Sequence, residues 1–149
     1  MIAVGSDHGG LELKQAICQM LQVRGLACED YGTNGPASVD YPDFGAKVAA
    51  AVAEAKVDAG ILICGTGIGM SIIANKYPGV RAALVHDDFT AQMAKEHNNA
   101  NILILGGRVL STADAVRLVE VWLDSRFEGG RHQGRLDKIA SAEQRLQKQ

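Results

Sequence analysis

The fold is decided by the stretch Ile61-Leu62-Ile63-Cys64-Gly65-Thr66-Gly67-Ile68-Gly69-Met70-Ser71, in which an apolar run enters a glycine-rich turn. A short run rich in isoleucine is typical of a strand that is buried on both faces of a parallel sheet. The three glycines let the backbone turn sharply and expose successive N–H groups, and a helix that begins at such a turn attracts negative charge to its first residues. The stretch therefore predicts a strand, an anion-binding turn and a helix, in that order.

Cys64 stands at the junction of the predicted strand and turn. Because the thiolate form of a cysteine is stabilised near a helix N-terminus, Cys64 is a candidate base or nucleophile. The alternative is that Cys64 is a small buried hydrophobic residue and that the glycines only allow close packing. Three glycines within five residues are more than packing alone requires, so we favour the anion-binding interpretation.

Other loops that hold phosphate have different patterns. A dinucleotide-binding turn reads G-x-G-x-x-G, but the third glycine here, Gly69, comes one position early. A P-loop ends in G-K-[ST], which this stretch lacks. A cysteine phosphatase loop needs an arginine six residues after its cysteine, where this chain has Met70. The stretch is therefore an anion-holding loop of another kind, with a reactive cysteine beside it.

Length and composition predict a single domain spanning residues 1–149. The chain is 47% hydrophobic and 21% charged, with a net charge of −2, which gives no support for binding to nucleic acid or to a membrane surface. No apolar run is long enough to span a membrane, and the N-terminus has no secretion signal, so we expect a cytoplasmic protein. The three cysteines, Cys18, Cys28 and Cys64, match no metal-binding spacing and no disulfide framework. We therefore expect a reducing compartment and neither a metal nor another cofactor.

Five apolar runs alternate with helical patterns along the chain. The runs 2–5, 26–31, 61–64, 80–85 and 102–105 are predicted strands, and the long irregular loop 33–42 follows the second. In the fourth helix, Phe89, Met93 and His97 share one face. A last helix, from about 133 to 147, has too thin an apolar stripe to bury alone, so we expect it to pack on a partner subunit. The alternation predicts a doubly wound (Rossmann-like) α/β three-layer sandwich of about five parallel strands with an extra C-terminal helix.

Polar residues follow two of the predicted strands at the edge where such folds bind ligands. Asp7 and His8 follow the first strand, and Cys64 and Thr66 follow the third, so we expect these two turns to share a site. Asp7 either orients a sugar hydroxyl or only caps a helix, and His8 can donate a proton or a hydrogen bond. Thr66 either passes a proton or bonds a substrate oxygen, or it is a plain N-cap.

His97, Arg131 and Arg135 are expected at the opposite edge of the sheet. Helices in this fold run antiparallel to the strands, and a helix of ten residues separates its two ends by about 15 Å. These residues therefore cannot reach Cys64 of their own chain, and a site that uses them all must be built from two chains. The alternative is that His97 offsets a helix dipole and that the arginines are solvated, although two arginines four apart make a good phosphate clamp.

Several motifs, spread in order over nearly the whole chain, make it resemble the ribose-5-phosphate isomerase B family, which also includes galactose-6-phosphate isomerase subunits. The resemblance rests on seven short segments: Gly5-Ser6-Asp7-His8-Gly9-Gly10, Asp40-Tyr41-Pro42, Cys64-Gly65-Thr66-Gly67-Ile68-Gly69, Ala74-Asn75-Lys76, Glu96-His97-Asn98-Asn99-Ala100-Asn101, Gly106-Gly107-Arg108 and Gly130-Arg131-His132. A branch of the family has a carboxylate where Cys64 stands, so this chain resembles the cysteine branch.

The resemblance implies an aldose–ketose isomerase without metal that acts as a homodimer or a dimer of dimers with sites shared between subunits. Cys64 would move a proton between C1 and C2 of the opened sugar through an enediolate, Thr66 would assist it, and the partner subunit's His97 would open the furanose ring. The oxyanion would lie on the amides of residues 65–69, which include Gly65, Gly67, Ile68 and Gly69, and a single donor of this kind is worth roughly 3 kcal/mol of barrier. The resemblance gives the other substrate contacts to Asp7, His8, Tyr41, Asn98, Arg108, Arg131 and Arg135.

The implied substrate is D-ribose 5-phosphate, and other interpretations remain open. The same chemistry can act on a six-carbon sugar such as allose 6-phosphate or galactose 6-phosphate, and the loop from Thr33 to Tyr41 would decide that choice. A non-catalytic module that binds a nucleotide or a phosphate can use the same sheet. It predicts that Cys64→Ala leaves function intact, whereas the isomerase interpretation predicts loss of turnover with binding largely kept. A cysteine phosphatase is disfavoured by Met70.

Overall fold

A parallel sheet of five strands forms the centre of the molecule. A computed structural model describes the whole chain, residues 1–149. The strands are β1 (Ile2–Ser6), β2 (Cys28–Asp30), β3 (Ala59–Cys64), β4 (Ala82–Leu84) and β5 (Ile102–Gly106), and their spatial order is β2-β1-β3-β5-β4. All four neighbouring pairs are parallel. The predicted doubly wound α/β fold is confirmed.

Six helices connect and flank the strands. They are α1 (Leu11–Val23), α2 (Tyr41–Ala53), α3 (Ile68–Ala74), α4 (Asp88–Glu96), α5 (Thr112–Asp124) and α6 (Arg131–Gln147), and a short 3₁₀ turn, His8–Gly10, precedes α1. None of these helices has the length and apolar character that a membrane crossing requires.

The alternation of side chains along β3 shows how the three layers form. Ile61 and Ile63 point into a core shared with α1, α4 and α5, whereas Leu62 and Cys64 point into a core shared with α2 and α3. Every residue of β1 and β5 is buried, as expected for strands covered on both faces. The third strand therefore lies in the middle of the molecule and carries Cys64 to the carboxyl edge of the sheet.

The two edge strands are shorter than predicted. The second strand was expected over 26–31 and the fourth over 80–85, but each pairs over three residues only. The backbone N–H of Leu26 donates to Leu21 O at the end of α1, and that of Val80 donates to Tyr77 O in a turn. These N–H groups close turns, so they cannot take part in a strand ladder.

Two helix predictions were also inaccurate. In α4 the core contacts come from Ala91 and Ala94, while Phe89 is 69% exposed, so the predicted face of Phe89, Met93 and His97 is not the buried one. The small alanines allow α4 to lie close to α5, which a face of large side chains would prevent. The last helix begins at Arg131 instead of 133, because Gly130 adopts a positive φ of 55° and starts the helix directly.

Candidate active site

The first and third strands bring two loops together at the carboxyl edge of the sheet. The N–H of Asp7 donates to Ile63 O at 3.2 Å, so the turn after β1 runs beside the end of β3. Gly9 lies against the next turn, and a Cβ added to it would be 3.3 Å from Gly65 N. The turns that carry Asp7 and Cys64 are therefore in contact, as the sequence predicts.

The loop after Cys64 presents unpaired backbone donors. The amide N–H groups of Gly65, Thr66 and Gly67 donate to no acceptor of the chain, whereas the carbonyls of Cys64 and Gly65 each accept a hydrogen bond of 2.8 Å from the turn after β5. Gly67 has a φ of +81°, which glycine adopts at little cost and which turns the chain into α3. The carbonyls are thus held inward by neighbouring backbone, and the N–H groups remain available to an anion.

Cys64 and Thr66 differ in exposure within this loop. Cys64 is buried against the α2/α3 side of the sheet, and Thr66 is exposed. The Thr66 hydroxyl oxygen accepts a hydrogen bond of 3.2 Å from the N–H of Ile68, so it satisfies one donor at the start of α3. This bond uses one lone pair of the hydroxyl oxygen and leaves its proton free to donate to a ligand. The amide of Ile68, in contrast, is already paired.

Asp7 and His8 have defined hydrogen-bond roles. Asp7 is buried, and its carboxylate accepts from the N–H of Gly9 at 2.9 Å, which makes it the N-cap of the 3₁₀ turn. His8 accepts at Nδ1 from the N–H of Val39 at 3.2 Å. An Nδ1 that accepts carries no proton, so in the neutral imidazole the proton is on Nε2. His8 can therefore donate from Nε2 to a ligand at this edge.

Tyr41 and Arg108 complete the carboxyl edge. Tyr41 begins α2, and its ring lies directly over Gly69, where an added Cβ would be 2.5 Å from the ring. The side chain of Arg108 lies over Gly65, within 3.5 Å of the position a Cβ would take there. Arg108 is exposed and has no ion-pair partner in the chain. A guanidinium next to a row of free amides makes this edge attractive to an anion.

A second group of predicted site residues lies at the amino edge of the sheet. His97 is the C-cap of α4, and Asn98 follows it in a turn that the guanidinium of Arg81 holds. Arg81 Nε donates to the carbonyl oxygens of Asn98 and Asn99 at 3.3 and 3.1 Å. Arg81 directly precedes β4, so this turn is fixed at the amino ends of the strands. The nine residues of α4 separate it from the carboxyl edge by about 14 Å.

The first turn of α6 brings a buried histidine against His97. The rings of His97 and His132 stack with centroids 4.1 Å apart and planes 15° apart. His132 Nε2 is 3.4 Å from the carboxylate of Glu128. Burial lowers the pKa of His132, and the neighbouring His97 and Arg131 lower it further, while Glu128 acts in the opposite direction. His132 is therefore held neutral at neutral pH, beside a His97 that is half-buried and accessible from one side.

Arg131 and Arg135 extend from the first two turns of α6 and are exposed. The predicted site residues therefore divide into two groups. The group at the carboxyl edge of the sheet consists of Asp7, His8, Tyr41, Arg108 and the loop 64–69. The group at the amino edge consists of His97, Asn98, Arg131 and Arg135. The three arginines that the resemblance assigns to a phosphate are not together within one chain.

The atoms of His97, Glu128 and His132 that can bind a metal lie within 4.8 Å of one another. The lone pair of an imidazole nitrogen lies in the plane of its ring, and two rings stacked at 15° cannot both direct a lone pair at one ion. This arrangement fits a stacked pair with a carboxylate neighbour better than a metal site. The expectation that the protein uses no metal stays a prediction.

Sequence reasoning gave no role to two residues that shape the candidate site. His132 stacks on His97 although 34 residues separate them in the chain, so no local spacing reveals the pair. Lys14 is fully buried and donates to Asp30 at 2.6 Å and to Asn34 at 3.1 Å, which anchors the start of the loop that reaches His8. The only signal in the sequence is that Lys14 occupies the apolar face of α1 between Leu13 and Ile17.

The fold and the site define a class: an α/β sandwich enzyme with a cysteine and a row of free amides at the carboxyl edge of its central strand. The family model described as Ribose/Galactose Isomerase matches residues 2–139 of this chain. The chain is 46% identical over 144 residues to ribose-5-phosphate isomerase B of Escherichia coli, with 97% of each chain covered. It is also 42% identical over 139 residues to D-erythrulose-4-phosphate isomerase of Pectobacterium atrosepticum, covering 93% of this chain and 91% of that one.

Solved structures of ribose-5-phosphate isomerases B are also similar to this chain. Ribose-5-phosphate isomerase B of Clostridium thermocellum superposes with a TM-score of 0.95 at 52% identity, covering 97% of this chain and 98% of that one. The Mycoplasma genitalium enzyme of the same name, with bound ribulose 5-phosphate, superposes with a TM-score of 0.93 at 45% identity, covering 96% and 95%. The chain belongs to the ribose/galactose isomerase family and is a sugar phosphate isomerase.

Proposed function

We propose that this protein interconverts D-ribose 5-phosphate and D-ribulose 5-phosphate through ring opening and an enediolate intermediate. The observation that carries the proposal is the buried Cys64 directly before amide N–H groups that have no acceptor in the chain. The similarity to ribose-5-phosphate isomerases B, one with bound ribulose 5-phosphate, supports the choice of a five-carbon sugar.

In this mechanism Cys64 is the base that removes the proton from C2 of the opened aldose and returns it to C1. The free amide N–H groups of the loop donate hydrogen bonds to the negative charge that develops on the C1 oxygen. Preorganised donors of this kind stabilise an oxyanion without reorganising, and removal of one costs roughly 3 kcal/mol of barrier. For the ketose to form, the C2 hydroxyl must lose its proton and the C1 oxygen must gain one, and the Thr66 hydroxyl assists by relaying this proton between the two oxygens.

His8 and Asp7 hold the ring end of the sugar. Because Val39 occupies Nδ1 of His8, the imidazole offers an Nε2–H donor to a sugar oxygen. Asp7 is engaged by the N–H of Gly9 through one oxygen and keeps its other oxygen for a sugar hydroxyl. Tyr41, whose ring covers Gly69, closes one side of the space beside the amides to a ligand.

We further propose that each site is completed by a second copy of the chain. Ring opening needs a general acid, and the phosphate needs cations, but His97, Asn98, Arg131 and Arg135 are a helix length away from Cys64 of the same chain. In a homodimer, or a dimer of dimers, the partner subunit's His97 would open the furanose ring. The partner's Asn98 would bind a sugar oxygen, and its Arg131 and Arg135 would join Arg108 on the phosphate. The exposed Ile139 and Leu146 of α6 supply apolar surface for such contact.

The test is the initial rate of ribulose 5-phosphate formation from ribose 5-phosphate in excess chelator. Allose 6-phosphate and D-erythrulose 4-phosphate are run beside it, because a six-carbon and a four-carbon substrate are the alternatives within the family. We expect the ribose reaction to be the fastest of the three. A faster reaction with either of the other sugars would replace the proposed substrate and keep the chemistry.

The control is Cys64→Ala, which removes the proposed base and adds no bulk to the loop. Loss of a positioned acid or base lowers the rate roughly 10²–10⁴-fold, and we expect this loss in kcat with substrate binding nearly unchanged. If Cys64→Ala turned over at the wild-type rate, Cys64 would not be the base. If the wild type turned over none of the sugars, the protein would be a binding module.

A further inference from the structure

Two cysteines outside the proposed active site face each other across the edge of the sheet. Cys18 lies in α1, and Cys28 is the first residue of β2, which is an edge strand. The Cys28 thiol donates to Cys18 Sγ at 3.4 Å. The proposed mechanism uses neither residue, and their spacing in the sequence does not reveal the contact. We propose that Cys18 and Cys28 form a dithiol site that disulfide oxidants such as oxidised glutathione convert to an intramolecular disulfide.

The site is open to such an oxidant. Both thiols are partly exposed, and they line a surface depression of about 530 Å³ together with Gln15, Gln19, Gln22 and Leu26. The polar amides leave room for a peptide-like reagent, whereas the active-site Cys64 is buried. A disulfide bond is about 2.05 Å long, so the two sulfurs need to approach by only about 1.4 Å.

Burial and the neighbouring charges determine the protonation state of the two cysteines before oxidation. Burial raises the pKa of Cys18 to about 12 and also raises the pKa of Cys28, and the nearby Asp30 adds to both effects. Lys14 acts in the opposite direction on each thiol. Both residues are therefore thiols at neutral pH. Cys28 is the better first nucleophile, because the Cys18 thiol can reverse the hydrogen bond and donate to the Cys28 thiolate, which lowers the pKa of Cys28 against the effect of burial.

The chemistry balances in two exchange steps. The Cys28 thiolate attacks one sulfur of oxidised glutathione, which forms a mixed disulfide and releases one glutathione thiolate that takes up a proton. The deprotonated Cys18 then attacks the Cys28 sulfur, which forms the Cys18–Cys28 bond and releases the second glutathione. Two protein thiols are oxidised by two electrons, and one glutathione disulfide is reduced to two thiols. Dithiothreitol reverses the reaction.

The experiment uses the full chain with Cys64→Ala, which leaves Cys18 and Cys28 as its two cysteines. After incubation with oxidised glutathione at about pH 8.5, where thiolates are more abundant, thiol titration under denaturing conditions should fall from two to none. Trypsin cuts after Lys14, Arg24 and Lys47 and so separates the two cysteines. We expect one disulfide-linked pair of peptides, 15–24 and 25–47, and an intact mass lower by about 2 Da.

The matched control is Cys18→Ser in the same background, which should give no linked peptides and at most one glutathione adduct. A second measurement tests the fit of the bond to the fold. Closing so short a loop should raise the melting temperature by roughly 5–10 °C, and dithiothreitol should abolish the increase. The proposal is overturned if both thiols stay free, if each carries glutathione without linkage, if the link joins two chains, or if oxidation lowers the melting temperature.

Discussion

The buried Lys14 offers a test of how the molecule holds its site. Its side chain is 1% exposed, and its ammonium donates to Asp30 and to Asn34. The Asp30 carboxylate also accepts from the N–H of Gly32 at 2.8 Å, so this cluster fixes the beginning of the loop between β2 and α2. Lys14→Met keeps the apolar stem of the side chain and removes the charge and its hydrogen bonds.

The magnitude follows from the burial of the two partners. Breaking a fully buried ion pair costs roughly 3–5 kcal/mol, because the remaining charge is left without a partner. Asp30 is 41% exposed, so water compensates part of this loss. We expect a loss of about 2 kcal/mol in the free energy of unfolding, near the value of a hydrogen bond to a charged group. For a chain of this length that is a fall of about 4–8 °C in melting temperature.

Chemical denaturation measures the free energy of unfolding of Lys14→Met and of the double variant Lys14→Met/Asp30→Asn. The double variant should regain part of the loss, because it no longer carries the unpaired carboxylate. Lys76→Met, at an exposed lysine with neither an ion pair nor a cation–π contact, is the matched control and should change stability by less than about 0.5 kcal/mol. A Lys14→Met protein as stable as the wild type, or a double variant less stable than the single one, would refute this reasoning.

The same variant should change catalysis through the loop. Val39, near the far end of this loop, donates to His8, so a loop that is loose at its first anchor holds His8 less well. We expect the KM for the sugar phosphate to rise more than kcat falls, because the role proposed for His8 is to bind the sugar ring and not to transfer the C2 proton. A loss confined to kcat would contradict the role given to the loop.

Two further predictions concern the two edges of the sheet. Gly69→Ala places a Cβ about 2.5 Å from the Tyr41 ring, so it should displace the ring and raise KM severalfold. Gly35→Ala is the control, because its Cβ meets open space and should leave KM unchanged. Equal KM values for the two variants would contradict the role proposed for Tyr41. The pKa of His132 is lower in the folded chain than in the unfolded chain. As pH falls below about 6.5, His132 is therefore protonated more readily in the unfolded chain than in the folded one. Stability should therefore fall with pH in that range, and less so in His132→Asn; identical melting curves against pH would exclude His132 as the cause.

Much of the fold could be predicted because its central strands are buried on both faces. Ile61, Ile63 and their neighbours in β1 and β5 form continuous apolar runs, and the turns between elements carry glycine. The edge strands were predicted too long, since Leu26 and Val80 are apolar but use their N–H groups to close turns. Hydrophobicity alone does not show which apolar residues pair in a ladder.

The division of the candidate residues between the two edges of the sheet could also be predicted, because chain direction in a parallel sheet places every strand end and helix end. The contacts between distant residues could not. The stacking of His132 on His97 and the anchoring of Asn34 by Lys14 depend on how helices lie against each other, and the pair of Cys18 and Cys28 depends on the register of β2. None of these three contacts produces a periodic pattern in the sequence, so none of them could be predicted from it.

The most direct test of the account is subunit complementation between Cys64→Ala and His97→Asn. Each variant alone should be nearly inactive toward ribose 5-phosphate, because each would lack one half of every site if the sites are shared as proposed. In a hybrid dimer, co-expressed and purified through two different tags, one site combines the intact carboxyl edge of one chain with the intact amino edge of the other. We expect the hybrid to recover about half of the wild-type activity, since one of the two symmetry-related sites is complete. A hybrid no more active than its parents would contradict a site shared between subunits.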